Sequence, residues 1–284
     1  MAEESVTTDV AAIRDAEEPA RNALDRLIRR FRQPALALAT LAVYAVAILA
    51  LGLALAPAAW LVDRLGPLAL GLPNWLRWPL LGSTLGLAFF VFGFSLLAVV
   101  AFFNLLLPTR VRPFKGQYHT LAAVPWFLHN GLFYLARFTF LPFVTLTPFG
   151  ILFLRAMGMK IGRRAFINTE FISDPRLLTL GDDVALGGSA HIFAHYGGGG
   201  NLVVAPVNIG NRATIGLCAT VMGDVIVGAG ATVLPHSVLL PGTRVGPGET
   251  WGGVPARRIP REEMEQLKEG IRRVGRSVGG TGEP

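Results

Sequence analysis

A six-residue repeat in the C-terminal half of the chain constrains the fold more than any other feature of the sequence. Steps of six along this region give a large apolar residue every time: Ile209, Ile215, Val221, Val227, Val233, Leu239, Val245 and Trp251. The next residue is often Gly, and the residue four positions on is usually small. An α-helix would show spacings of three and four, and paired strands would show alternation between turns. The repeat instead predicts a solenoid in which three six-residue faces close each coil around aliphatic side chains.

The same repeat locates the first coil and one interruption. The repeat begins in a weaker form at Ile161 and Ile167. After a slip of one residue it resumes at Leu180, Leu186 and Ile192. An insertion from Phe193 to Asn208 then interrupts it, and this insertion contains His195 and the run Gly197–Gly200. Loops that project from solenoid coils often carry function. We therefore expect the solenoid over residues 158–260, with a functional loop at the insertion.

A C-terminal segment, residues 261–284, follows the coils as an amphipathic helix and a tail. Its apolar residues recur at helical spacing between Arg261 and Arg276, at Met264, Leu267, Ile271 and Val274. This pattern predicts a helix that caps the open end of the solenoid or packs on a neighbouring subunit.

Two long apolar stretches precede the solenoid. Pro34–Val62 and Pro79–Pro108 contain no charged side chain, and each exceeds the roughly 20 residues that cross a bilayer. A hydrophobic content of 52% is also too high for an ordinary soluble protein. A polar leader of about thirty residues disfavours a cleaved signal peptide. We expect a basic leader over residues 1–33 and a transmembrane hairpin over residues 34–108.

Positive charge predicts the orientation of this hairpin. Arginines crowd the segment before the first stretch, and Arg110, Arg112 and Lys115 follow the second, whereas Arg64 and Arg77 lie between them. Because basic residues collect on the cytoplasmic side, the solenoid should face the cytoplasm of a cell inner or plasma membrane. Contact with anionic lipids also accounts for the net charge of +7, so we expect no nucleic-acid partner.

A third apolar stretch, roughly Leu121–Leu154 within residues 109–157, allows two interpretations. Polar and proline residues interrupt it, so interfacial or re-entrant helices and a further hairpin of spans are both open. His129 lies in this stretch, and an ionisable residue there is a candidate for binding an acceptor or a lipid headgroup.

The repeat and its ending resemble a known class. The text from Ile209 to Ile259 resembles the hexapeptide-repeat acyltransferases, including their Gly-Val-Pro-Ala-Arg ending at Gly253–Arg257. More narrowly, apolar spans followed by "LRAMGMKIG", "NTEF" and "HIF" resemble the C-terminal region of the peptide synthetases that make ε-poly-lysine. The resemblance implies a left-handed parallel β-helix, a homotrimer, and an acyl thioester donor that lies between neighbouring solenoids beside a histidine general base.

Two histidines compete for the role of base. His195 stands in "AHYGGGGNLVVAPVNIG", which resembles the class's pattern of a histidine, an insertion and Pro-Val-x-Ile-Gly, whereas His191 matches the synthetase-like text. Imidazole, with an ordinary pKa of about 6.5, accepts a proton from a hydroxyl or amine near neutral pH. Glu170 or Asp174 is the candidate for the acid that orients it, the alternative being that both are exposed acids at coil corners.

The end of the solenoid is the expected donor site. The resemblance places the nucleotide of coenzyme A near Trp251, Arg257 and Arg258, because guanidinium groups suit phosphates. Alternatively, the two arginines only begin the terminal helix. No metal is expected, because Cys218 is the single cysteine and a zinc enzyme of the carbonic anhydrase type would need three converging histidines. Cys218 and His236 share one position of the repeat, and we interpret both as coil residues.

These features predict a membrane-bound acyltransferase. It would move an acyl or aminoacyl group from a cytoplasmic thioester, acyl-CoA or a carrier protein, to a hydroxyl or amine of a hydrophobic or lipid-linked acceptor. The alternative is a non-catalytic trimeric membrane scaffold built on the same β-helix. The histidine-bearing insertion favours the enzyme, because an assembly module has no need for it.

Overall fold

Helices form the first half of the molecule. A computed structural model describes residues 23–118, 120–198, 201–266 and 269. The helices that precede the coils are α1 (Ala23–Arg30), α2 (Arg32–Leu65), α3 (Asn74–Leu106), α4 (Val124–Arg137), α5 (Leu141–Val144) and α6 (Pro148–Ala156). A seventh helical segment, α7, covers residues 261–266, and the remainder of the predicted C-terminal helix lies outside the described residues. Most of the basic leader lies outside them as well.

The two long helices, α2 and α3, are joined by a short 3₁₀ turn, Gly66–Ala69, and pack against each other. The apolar segments Ala37–Ala69 and Asn74–Leu106 are each 33 residues long, and the most apolar 18-residue window of each has a mean hydropathy of 2.5. At 1.5 Å per residue, each exceeds the roughly 30 Å of a bilayer's hydrocarbon layer. Only 11% and 28% of their most apolar windows are buried, so most of this apolar surface faces outward. The predicted pair of long apolar helices is confirmed.

The third apolar stretch forms short helices. Proline occupies one of the first two positions of α4, α5 and α6, where its missing N–H is not needed. The longest of them, α4, has 14 residues and measures about 21 Å, which is too short to cross the hydrocarbon layer. Helices of this length are the form expected of interfacial or re-entrant segments rather than of a further hairpin of spans. The short helices instead connect α3 to the first coil.

The C-terminal half is a three-sided parallel β-helix of about five coils, which confirms the predicted fold class. One sheet has the strand order β16-β13-β10-β5-β2, the second β18-β17-β14-β11-β6-β3, and the third β15-β12-β7-β4. Their strands are β2 (Lys160–Ile161), β3 (Phe166–Ile167), β4 (Ile172–Ser173), β5 (Leu178–Leu180), β6 (Ala185–Leu186), β7 (His191–Phe193), β10 (Val207–Ile209), β11 (Thr214–Ile215), β12 (Thr220–Val221), β13 (Val225–Val227), β14 (Thr232–Val233), β15 (Val238–Leu239), β16 (Arg244–Val245), β17 (Thr250–Gly253) and β18 (Ala256–Ile259). A separate small sheet holds β1 (Phe114–Gln117), β8 (His195–Gly198) and β9 (Asn201–Val204).

The repeated apolar residues form the core of the coils. Ile215, Val221, Val233 and Leu239 are fully buried, one above another on the inner faces. Gly216, which follows such a residue, is needed for close packing of coils, because a Cβ there would lie 2.5 Å from the backbone nitrogen of Pro235. The corners lie elsewhere in the repeat. They have left-handed backbone angles at Arg212, Cys218, Asp224, Gly230 and His236, which accounts for the shared position of Cys218 and His236.

We expect truncation of a core residue to destabilise the coils strongly. Ile215→Ala removes a fully buried side chain and should lower the free energy of unfolding by about 2–5 kcal/mol. Ile226→Ala is the matched control, because Ile226 is 38% exposed and should lose far less. Urea-induced loss of the β-sheet circular dichroism signal measures both variants. Equal losses in the two would contradict the assigned core.

Two irregularities in the winding lie side by side. Ile209 pairs with Val227, eighteen residues on, but Ile161 pairs with Leu180, nineteen residues on, and Leu180 pairs with Ile209, twenty-nine residues on. The one extra residue between Ile161 and Leu180 lies in the coil that contains Asp174 and the 3₁₀ turn Pro175–Leu177. The second irregularity is the insertion, which is a β-hairpin of β8 and β9 rather than an irregular loop. Strand β1 pairs antiparallel with β9, so the segment after α3 holds this hairpin.

Candidate active site

His195 lies where the chain leaves the second coil to enter the hairpin. It is the first residue of β8 and pairs with Val204 of β9. Its ring stacks on Phe193 at 5.9 Å between centroids, and the edge of Trp126 from α4 approaches it at 5.2 Å. The side chain remains 23% exposed. The ring is therefore held on two sides and still open to a substrate.

Asp174 is the acid that contacts this histidine. Its Oδ2 lies 2.5 Å from His195 Nδ1, and the Asp174 side chain is fully buried. A carboxylate can only accept, so Nδ1 donates the hydrogen bond, and the lone pair of the neutral ring lies on Nε2. Among the described residues, Nε2 of His195 has no assigned hydrogen-bond partner. This arrangement leaves Nε2 available to take a proton from a bound group.

Asn130 of α4 forms a hydrogen bond to the second carboxylate oxygen of Asp174. Its Nδ2 donates to Asp174 Oδ1 at 2.7 Å, and its Oδ1 accepts from the Asp174 backbone N–H at 3.4 Å. The same amide donates to the Trp126 carbonyl at 3.1 Å. Asp174 itself has a φ of 57°, at the point where the first coil carries its extra residue. The acid is thus fixed by a helix from outside the solenoid.

A buried arginine lies beside this pair. The Arg137 guanidinium lies over the rings of Tyr134, Phe171 and Phe193, and it donates to Ser173 Oγ at 3.3 Å. Burial lowers the pKa of Arg137 from its ordinary value, and the nearby negative charge of Glu170 acts in the opposite direction. This cluster joins α4 to the coil strands on either side of the candidate base.

The geometry separates the candidates named from the sequence. Glu170 is electrostatically coupled to Arg137, whereas Asp174 is the carboxylate in contact with His195. His191 stacks on Phe171 at 4.6 Å, and its buried Nδ1 has no hydrogen-bond partner among the described residues. The geometry therefore favours His195 over His191 and Asp174 over Glu170. Asn130 was missed, because a single amide in an apolar helix gives no motif.

His129 belongs to the interior and not to the site. It is fully buried, and its Nδ1 lies 2.9 Å from Asn104 Oδ1 of α3. Burial lowers the pKa of His129 to about 4, so the ring is neutral near pH 7. Its burial is inconsistent with direct contact to a lipid headgroup or to an acceptor. In the part of the chain that the structure describes, no three His, Cys, Asp or Glu side chains cluster as metal ligands do.

The predicted donor residues lie together at the far end of the coils. Trp251 Nε1 donates to Glu249 Oε2 at 2.9 Å, and Arg258 pairs with Glu249 at 3.2 Å. Arg257 pairs instead with Glu263 of α7 at 2.7 Å. A cavity of about 430 Å³ lies between the last coil and α7, with Arg258 in its wall. This end is three coils from the level of His195, or roughly 14 Å at strand spacing.

The fold and the site together define a class of protein. It is a three-sided β-helix built on a six-residue repeat, with a histidine at the beginning of an inserted β-hairpin. No family model matches the chain. Over 119 residues it is 29% identical to the delta-poly-L-ornithine synthetase of Acinetobacter baumannii, a match that covers 42% of the chain and 9% of that synthetase.

Two solved structures were also found to be similar. One is a hexapeptide-repeat acetyltransferase of Vibrio cholerae complexed with acetyl coenzyme A, at 26% identity and a TM-score of 0.34, with 36% of the chain and 60% of that protein covered. The other is a maltose O-acetyltransferase of Clostridium difficile, at 15% identity and a TM-score of 0.40, with 52% and 92% covered. The fold assignment rests on the coils of the chain itself.

Proposed function

We propose that the chain is an acyltransferase that moves an acyl or aminoacyl group from a thioester to an amine or hydroxyl, with His195 as general base. The observation that carries this proposal is the 2.5 Å contact between His195 Nδ1 and the buried carboxylate of Asp174. Such a pair fixes the imidazole tautomer and stabilises the imidazolium that forms when the ring takes a proton. A scaffold that only assembles subunits has no need for it.

The reaction follows from this geometry. His195 Nε2 removes a proton from the acceptor as its nitrogen or oxygen attacks the thioester carbonyl, and a tetrahedral intermediate forms. Its collapse breaks the carbon–sulfur bond and expels the thiolate, which receives the proton from the imidazolium. Asp174 stays ionised throughout and compensates the positive ring. No covalent intermediate on the protein is required.

The proposal is tested directly with purified protein and a panel of acyl-CoA thioesters. Each is incubated with and without simple amines and alcohols, and both free coenzyme A and the new amide or ester are quantified. We expect the acceptor to accelerate release of coenzyme A with matching formation of the acylated product. A complete lack of acceptor-dependent product across the panel would contradict acyl transfer.

The donor nucleotide is proposed to bind at Trp251, Arg257 and Arg258. The exposed guanidinium of Arg258 lines the terminal cavity, and phosphate groups of coenzyme A would replace Glu249 as its partner. The pantetheine arm would then run along the coils toward His195. By analogy with the Vibrio cholerae acetyltransferase, which is complexed with acetyl coenzyme A, the proposed donor is a coenzyme A thioester.

We expect Arg258→Ala to weaken donor binding selectively. Loss of one charge-assisted hydrogen bond to phosphate should raise KM for acyl-CoA by about tenfold. The matched control is an acyl thioester of N-acetylcysteamine, which lacks the nucleotide and should react equally well with both proteins. An equal loss with both donors, measured as initial rates, would contradict a nucleotide contact at Arg258.

We propose that α2 and α3 insert in the membrane with the β-helix on the cytoplasmic side. Their length and outward-facing apolar surface support insertion, and the basic residues at both outer ends support the orientation. A homotrimer is proposed as well. Large apolar side chains are exposed on the coils, as expected of a subunit contact, at Phe166, Leu217 and Leu240.

A further inference from the structure

An apolar cavity lies directly beside the candidate active site. It has a volume of about 350 Å³ and lies between α1, the beginning of α2, and α4. Its walls include Ile28 of α1, Ala39 and Val43 of α2, and Phe127 of α4. The cavity is not part of the coil surface on which the donor is proposed to lie. Its lining residues are distinct from those at which the donor nucleotide is proposed to bind.

Two residues belong both to this cavity and to the site. Trp126 lines the cavity, and its ring is 5.2 Å from the ring of His195. Asn130 lines it as well, and its side chain donates to Asp174. Tyr118 closes the side next to the hairpin, where a Cβ on Gly197 would lie 2.8 Å from the Tyr118 hydroxyl. A molecule in the cavity would thus end within reach of the base.

The size and chemistry of the walls define what fits. The volume lies at the lower end of the roughly 300–1,000 Å³ typical of small-molecule sites, so it suits one slender ligand. None of the described residues that line it carries a charge, and most of them are aliphatic or aromatic. The Asn130 amide is already bonded to Asp174 and to the Trp126 carbonyl. As far as the described residues form them, the walls are suited to a hydrocarbon and offer no counter-ion for a charged ligand.

The position of the cavity agrees with this chemistry. Ala39 and Val43 lie in the first turns of the long apolar segment Ala37–Ala69, and Ala39 is exposed on the outside of the molecule. Helix α4 approaches α2 closely at Gly131, where a Cβ would lie 3.0 Å from Val43 Cγ1. A chain that enters past Ala39 would come from the apolar surroundings of α2. It would run along α4 toward Trp126 and His195.

We infer that this cavity binds the linear aliphatic chain of one substrate and presents the reactive end of that substrate to His195. The inference rests on the proposed acyl transfer and adds its substrate class. The chain can belong to the acyl group of the donor or to an alkyl amine or alcohol that accepts it. Both have the same hydrocarbon chemistry, and the test below distinguishes them.

The test uses two variants with the same substitution on one helix. Ala39→Phe fills the cavity from its α2 wall, whereas Ala45→Phe places the same ring on a different, exposed side of α2. In the donor arm, acetyl-CoA is compared with dodecanoyl-CoA at a fixed short acceptor, butylamine. In the acceptor arm, butylamine is compared with dodecylamine at fixed acetyl-CoA.

We expect Ala39→Phe to raise KM for the long-chain substrate at least tenfold in one of the two arms. Each buried methylene is worth about fourfold in affinity, and the phenyl ring displaces several. Transfer between acetyl-CoA and butylamine should change by less than twofold, and Ala45→Phe should resemble the parent in every assay. An equal effect on short and long chains in both arms would overturn the inference while leaving acyl transfer intact.

A binding measurement separates this inference from the proposed activity. A dodecyl amine carrying a terminal diazirine is photolysed with the full-length protein in detergent, and labelled peptides are identified by mass spectrometry. We expect saturable labelling of peptides that contain Val43 or Phe127, reduced at least tenfold in Ala39→Phe. Labelling that does not saturate, or is unchanged in Ala39→Phe, would overturn the inference whether or not transfer is detected.

Discussion

Replacing His195 with Ala is expected to lower kcat for acyl transfer by about 10²–10⁴-fold, the usual contribution of a positioned general base. The acceptor would then have to lose its proton to water, because Nε2 is the ring nitrogen left free by the contact with Asp174. KM for the acyl-CoA should change little, since the proposed nucleotide site is three coils away. Steady-state rates of product formation, measured with a coenzyme A thioester and an amine acceptor, check this expectation.

His191→Ala is the matched control for that experiment. His191 lies on the neighbouring strand β7, but Phe193 lies between the two histidine rings. We expect this variant to keep kcat within about threefold of the parent, because the described residues include no carboxylate in contact with its ring. If His195→Ala kept near-parental activity and His191→Ala lost it, the role of base would pass to His191.

Asp174→Asn should produce the second large loss, also about 10²–10⁴-fold in kcat. The amide removes the negative charge that stabilises the imidazolium, and it can hold the imidazole in the unproductive tautomer by donating to Nδ1. Asn tolerates the left-handed backbone of position 174, where φ is 57°, so the fold should be kept. Kinetics and circular dichroism of the purified variant measure the two effects separately.

Glu170→Gln serves as the control for the acid. The carboxylate that contacts His195 is that of Asp174, so Glu170→Gln should change kcat by less than about threefold. A large loss in Glu170→Gln combined with full activity in Asp174→Asn would restore the interpretation in which Glu170 orients the base.

The coils could be predicted from sequence because their physics is local and repeated. One inward aliphatic residue every six positions is needed for each face, and Ile215 and Val221 satisfy that need in an unbroken register. The apolar helices follow from equally local information, since an uncharged stretch above the bilayer length is visible by inspection. Likewise, the shared position of Cys218 and His236 reflects the corner conformation that both adopt.

The carboxylate that contacts His195 could not be predicted from the sequence, because its position depends on how the coils stack. Asp174 precedes His195 by twenty-one residues, and it lies in the coil that is one residue longer than a regular coil. Glu170 lies in the text "NTEF" that carries the resemblance, but it is Asp174 whose carboxylate contacts His195. The choice between two nearby acids therefore required the register of the coils.

Asn130 and the apolar cavity depend on tertiary packing of α4. The hydrogen bond from Asn130 to Asp174 joins residues forty-four positions apart, in a helix and a coil with no shared motif. The cavity is formed where α1, α2 and α4 fail to fill the space between them, and helical periodicity does not specify such a gap. The sequence predicted the elements on each side, but not the space between them.

A double-mutant cycle in kcat tests most directly whether His195 and Asp174 act as one unit. Parent, His195→Ala, Asp174→Asn and the double variant are compared under saturating acyl-CoA and amine. Our account predicts that the double variant is about as slow as His195→Ala alone, because the carboxylate acts only through the imidazole. Multiplicative losses, or a double variant as active as the parent, would contradict it.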